Sequence, residues 1–97
     1  MMLERAEIVV KPGAEEGFAE AFGEHGRAVL ERVDGVRSVR WGRGVESPNK
    51  FLLLVEWASV QAHEAFSKSS AFTLFMGIVS PFTQEGAMEH FEMQEAG

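Results

Sequence analysis

The sequence predicts an α+β domain of the ferredoxin-like type, a four-stranded antiparallel sheet with helices on one face, and three observations carry that prediction. Within residues 51–66, FLLLVEWASVQAHEAF, the apolar period changes from two to about 3.6, so a buried strand runs directly into a helix. The periodic segments follow the order strand, helix, strand, strand, helix pair, strand, which is the split β-α-β pattern. The strand at 51–57 also has apolar side chains on both alternating sets, Phe51, Leu53, Val55 and Trp57 against Leu52 and Leu54. Both faces of the sheet therefore want cover.

Taken in order, residues 3–11 alternate as a first strand, with Ala6, Ile8 and Val10 on one side, and Pro12-Gly13 ends it. Residues 14–33 place Phe18, Phe22, His25 and Val29 at spacings of four, three and four, one stripe of an α-helix. Gly17, Gly23 and Gly26 each cost that helix about 1 kcal/mol relative to Ala. Packing of the stripe has to hold it. Asp34-Gly35 supplies the stop. A second strand at 36–45 and a polar turn at 46–50 form a hairpin with the central strand. Ser59 is a fitting N-cap for the helix that follows, and a further helix at 71–79, stopped by Pro81, has an apolar arc wider than one-sided burial needs. Gly86 opens the last strand at 87–93.

Composition narrows the function classes. Fifteen acidic residues against nine basic ones argue against a nucleic-acid groove or an anionic membrane surface. With no cysteine there is no disulfide framework, zinc ribbon or thiolate nucleophile. No apolar run reaches the roughly 20 residues of a membrane span, and the start, Met1-Met2-Leu3-Glu4, lacks signal-peptide features. The expected location is cytoplasmic. A single 97-residue domain, residues 1–97, buries only roughly 60–65% of its unfolded surface. The expected partner is a second copy, joined as a twofold dimer through the open sheet face.

The residues that could carry chemistry are few. Trp57, at the end of the central strand, reads either as an aromatic wall for a flat substrate or as a core indole with its N–H satisfied. His25, placed between Phe22 and Val29 in the stripe, should face the sheet and could act as a base. His63 shares a face with Phe66 and could enter the same space, with His90 as a third pocket group or an interface residue. The space is expected between the sheet and the helix at 14–33, bordered by Trp57, His25, Phe22 and Phe75. The three histidines lie on three elements without ligand spacing, so no metal is expected.

The run FLLLVEWASVQAHEAFSKSSAF, a helix ending near Pro81-Phe82, and EHFE at 89–92 resemble the antibiotic biosynthesis monooxygenase (ABM) family, over almost the whole chain. The resemblance implies a dimeric α+β barrel and a cofactor-independent oxidation of aromatic phenols to quinones. Trp57 matches the tryptophan that lines the substrate pocket in several members. Leu53 stands where the oxygenases carry an Asn. The haem-degrading members use an Asn on the first strand and a haem-ligating His a turn beyond His63; here the one Asn is Asn49, in a turn, and Ser67 occupies the other neighbourhood. The expectation is an oxidation of a small aromatic or enolic compound with no cofactor, Trp57 as wall and His25 or His63 as base. A non-catalytic ligand-binding or stress-associated dimer, and an isomerase using the same base, are the other readings.

Overall fold

In the computed structural model, which describes residues 1–94, the first strand β1 (Met2–Val10) starts earlier than the alternation of Ala6, Ile8 and Val10 alone suggests. Its inward set runs back through Glu4 to Met2, both buried. After Gly13, whose φ of 83° needs a residue without Cβ, the chain forms α1 (Glu15–Ala21), a π-helical turn (Phe22–Gly26) and α2 (Arg27–Glu31). The hairpin strands are β2 (Val36–Arg43) and β3 (Lys50–Trp57), and the second helical unit is α3 (Val60–Ser67) and α4 (Ser70–Val79). A 3₁₀ turn (Ser80–Phe82) leads into β4 (Thr83–Glu92).

The sheet is antiparallel in the order β2-β3-β1-β4, with all helices on one face. This is the ferredoxin-like architecture. Register fixes the inward set: Met2 lies opposite Trp57, Glu4 opposite Val55, Ala6 opposite Leu53 and Ile8 opposite Phe51. On the other side of β1, Glu4 faces His90 and Ala6 faces Met88. The outward set includes Leu3, Val9, Leu52, Leu54 and Phe91, together with the Arg5–Glu89 pair at 2.9 Å.

The π turn corrects the stripe expected for the first helix. Its buried positions are Phe18, Phe22, Gly26 and Leu30, a constant spacing of four. In an α-helix each step of four overshoots a full turn by roughly 40°, so three steps would swing the stripe away from the sheet. One wider turn takes up that drift. His25 consequently points outward, with 67% of its side chain exposed and Nε2 3.9 Å from Glu24. Gly26 is buried because a Cβ there would stand 2.9 Å from the Phe22 ring and 3.4 Å from that of Phe75. The glycine that weakens the helix is also what lets the rings close over it.

The second helical unit begins where the sequence places it. Ser59 Oγ accepts the Ala62 N–H at 3.1 Å, and Ser69 Oγ accepts the Phe72 N–H at 3.3 Å, so each helix starts on a serine cap. Gly35, with φ of 94°, has no Cβ to strike Ala62, which would lie only 2.5 Å from it. That close approach seats α3 against the β2 entry, and the Ala58 N–H donates to the Gly35 carbonyl at 2.7 Å. α3 therefore leaves β3 at a fixed angle, with His63 turned back over Trp57.

Candidate active site

β1, β3, β4 and α3 each bring one polar side chain to a single point under the second helical unit. Glu4 projects inward from β1 and is 92% buried, with residual exposure of 8%. The Trp57 Nε1–H donates to its Oε1 at 2.9 Å. His63, from α3, sets its ring edge-on to the Trp57 indole with centroids 5.2 Å apart, and its Nε2 lies 3.6 Å from the same Glu4 oxygen. His90, from β4, completes the group with its ring centroid 4.4 Å from that of His63.

The electrostatics of His63 follow from its position. Its side chain retains 15% exposure, and burial, the largest influence, pushes the imidazole pKa below its ordinary value of 6.5. The Glu4 carboxylate opposes this, His90 adds to the lowering, and Glu64 opposes it again. The net direction is down, so His63 is a neutral imidazole near pH 7 with a lone pair to offer. Its 3.6 Å separation from Glu4 is too long for a direct hydrogen bond. The carboxylate is anchored by the indole instead.

Glu4 and His63 stand at one end of a cavity of about 290 Å³ between the sheet and the α3–α4 unit. Glu4 and His63 line that end; Leu30, Leu53, Phe66, Phe72, Phe75, Met76 and Val79 make the apolar body, and Met88 closes the β4 side. Leu53 thus presents an apolar surface to the space. A larger groove of about 700 Å³ lies on the outer side of α3, between it and α2, where the ionisable side chains are Arg32 and Asp34. Lacking a histidine or a buried carboxylate, it offers no comparable acid-base chemistry.

Measured against the residues expected from sequence, the placement divides. Phe75 and His63 face the cavity, and His90 touches His63 without lining it. His25 is remote from it for the helical reason given above. Phe22 is fully packed between Trp41, at 5.1 Å, and Phe75, at 6.3 Å, and does not line the cavity. Trp57 has no exposed surface at all, so it is not a wall; it is a buried indole that holds Glu4. The cavity lies mainly under α3 and α4, and of the helix expected at 14–33 it is Leu30 that lines it. Glu4 was missing from the expected set, although its even-numbered place with Ala6, Ile8 and Val10 already puts it on the inward face.

The family model described as antibiotic biosynthesis monooxygenase matches residues 1–77. The chain belongs to that family. Among proteins similar to it, the uncharacterized protein YczJ of Bacillus subtilis (strain 168) is 30% identical over 94 residues, covering 95% of this chain and 98% of the relative. A crystal structure from Bordetella bronchiseptica, described as a candidate antibiotic biosynthesis monooxygenase, superposes with a TM-score of 0.88 at 27% identity, covering 97% of each chain. A Nitrosomonas europaea structure of like description shares the fold, with a TM-score of 0.83 at 16% identity over 98% of this chain and all of that one. Among the described residues no helix is long and apolar enough to cross a membrane.

Proposed function

We propose that this ABM-family protein oxidises a small aromatic or enolic compound with molecular oxygen and no bound cofactor, using His63 as the base. The observation that carries this reading is a largely buried imidazole, backed by a buried carboxylate, at the polar end of an otherwise apolar cavity; burial lowers its pKa, which favours the neutral form a base requires. A phenol or enol bound with its hydroxyl at His63 loses its proton to Nε2, and the water-poor surroundings leave the resulting anion electron-rich. Glu4 then stabilises the imidazolium that forms. For a phenol becoming a quinone, a ring carbon gains one oxygen atom, and two hydrogens leave with the other as water. No outside reductant enters the balance.

Cavity size limits the substrate. At about 290 Å³ the space is near twice the roughly 150 Å³ apolar cavity that accommodates benzene, which suits one or two fused rings. His90 has no separate catalytic step in this reading; its ring packs beside that of His63, 4.4 Å between centroids. We further propose that the protein acts as a twofold dimer through the outward sheet face, where Leu3, Val9, Leu52, Leu54 and Phe91 form an apolar surface. Light scattering should give about twice the 10.7 kDa chain mass.

The second reading, a binding module, is favoured by one residue. Leu53, on the cavity wall, offers no hydrogen bond to a developing oxyanion. Oxygen uptake with a panel of one- and two-ring phenols, in the presence of a chelator and without flavin or nicotinamide, separates the two. Consumption above the uncatalysed rate supports the monooxygenase. Binding by calorimetry without consumption or product supports the module and rejects it.

A further inference from the structure

The same polar point has the composition and spacing of a metal site, and we propose that Glu4, His63 and His90 bind one divalent transition cation of the zinc type. Each residue offers one ligand atom, and the three atoms all lie within 4.8 Å of one another. Two imidazoles and a carboxylate from three elements form a three-ligand set that leaves coordination positions open to a cavity. The sequence gives no hint of it, because the ligands are 59 and 27 positions apart, Glu4 to His63 and His63 to His90; the register of β1 with β4 sets Glu4 beside His90, and the seating of α3 brings His63 to them.

Geometry supports the cation over a simple side-chain contact. In a tetrahedral site with bonds of about 2.0–2.1 Å, ligand atoms sit about 3.3 Å apart. Glu4 Oε1 and His63 Nε2 are already at 3.6 Å, too far for a hydrogen bond and close to that span. The remaining closure falls to His90, an exposed side chain on an edge strand, which can turn at little cost. The carboxylate is fixed from behind by the Trp57 Nε1–H at 2.9 Å, the kind of outer contact that orients a metal-binding group. Charge points the same way: Glu4 is buried with no Lys or Arg paired to it among the described residues, and a cation would neutralise it.

The proposal goes beyond the oxidation reading and bears on it in one way. A cation on Nε2 of His63 occupies the lone pair that would take the substrate proton, so metal and base catalysis exclude each other. A bound cation would therefore act as an inhibitor of the cofactor-free reaction. Because binding can be measured without any substrate, the cation site and the catalytic reading fail independently.

Titration of chelator-treated protein with Zn²⁺ in a calorimeter, at neutral pH, tests it. One Zn²⁺ per chain is expected, with binding at that stoichiometry lost in His63→Ala and His90→Ala. His90 is exposed, so its variant keeps the fold, which an unchanged far-ultraviolet circular dichroism spectrum verifies. Trp57→Phe, which removes the outer contact and leaves the three ligands in place, should weaken binding about 10–100-fold. His25→Ala, which removes the surface His25–Glu24 pair, should leave it unchanged. Absence of Zn²⁺ binding, or one-to-one binding that survives His90→Ala, would overturn the assignment.

Discussion

The two helical units lie side by side on one sheet face, yet one is solid and the other hollow. Under α1 and the π turn, Phe18 stacks on Phe22 at 5.9 Å and tilts against Phe51 at 4.6 Å, while Trp41 meets Phe22 edge-on at 5.1 Å. The crevice among these rings leaves no room for a water-sized molecule. Under α3 and α4 the rings of Phe66, Phe72 and Phe75 stand around open space, and Glu4 enters it from below. Each unit carries a histidine, His25 on the first and His63 on the second. The π turn points His25 outward, whereas His63 faces the sheet, and the strand residues beneath the two units differ as well. Phe51 meets the first unit with a ring that fills space, whereas Glu4 meets the second with a carboxylate that needs a partner.

The sharpest way to break this contrast is kinetic. If the hollow half holds the base, His63→Ala should lower the rate of oxygen consumption by about 10²–10⁴, the usual share of general-base catalysis. His25→Ala should leave it unchanged. Equal loss in the two variants would place the chemistry elsewhere, and undiminished rates in both would remove the histidine base altogether.

The second effect is on stability. Phe51→Ala removes a ring from the solid half and leaves an unfilled cavity, at a cost of about 3–5 kcal/mol. Phe72, half-buried and bordering space that already exists, has fewer contacts to lose. Its replacement by Ala should cost less than half as much in a urea titration. Similar costs would mean that the second unit is as tightly packed as the first.

Trp57→Phe probes the junction between chemistry and packing. It keeps an aromatic ring but deprives buried Glu4 of its indole donor, which should cost about 1–3 kcal/mol. If that donor is the cause, exchanging both partners, Trp57→Phe with Glu4→Leu, should cost less than the two single changes summed. Simple additivity would reduce the Trp57 effect to lost volume.

What the sequence made legible was whatever depends on local period. The strand order, the serine cap at Ser59 and the breaks at Gly13 and Gly35 all follow from residues a few positions apart. The π turn was not legible, because a spacing of four at Phe18, Phe22, Gly26 and Leu30 differs from an ordinary stripe only by a drift that accumulates. A stripe through His25 and Val29 fits an unbroken α-helix equally well. At the site, Glu4 could have been found by carrying the alternation of β1 two residues further back. Its meeting with His63 and His90 could not, since that depends on strand register and on the angle at which α3 leaves β3. Trp57 is a buried indole with its N–H satisfied by Glu4, one of the two roles its position allows; position at a strand end does not reveal which way a ring is covered.

The smallest expected effect concerns pH and tests how dry the hollow half is. In chelated, metal-free protein, burial holds the His63 pKa below the 6.5 of the unfolded chain, against the opposing pull of Glu4. The unfolded state therefore takes up a proton first as pH falls. The stability contributed by keeping His63 neutral is fully present above about 6.5, and it is lost as pH falls toward and through the lower folded value. Urea midpoints from pH 8 to pH 5 should thus decline more steeply for the wild type than for His63→Gln, which has no proton to take up. Other carboxylates contribute to both curves, so the difference between them isolates the imidazole. Parallel curves would mean that desolvation and Glu4 cancel. A wild type less acid-sensitive than the variant would mean that the carboxylate wins, making His63 a cation in the folded protein and removing the neutral base on which the proposed oxidation depends.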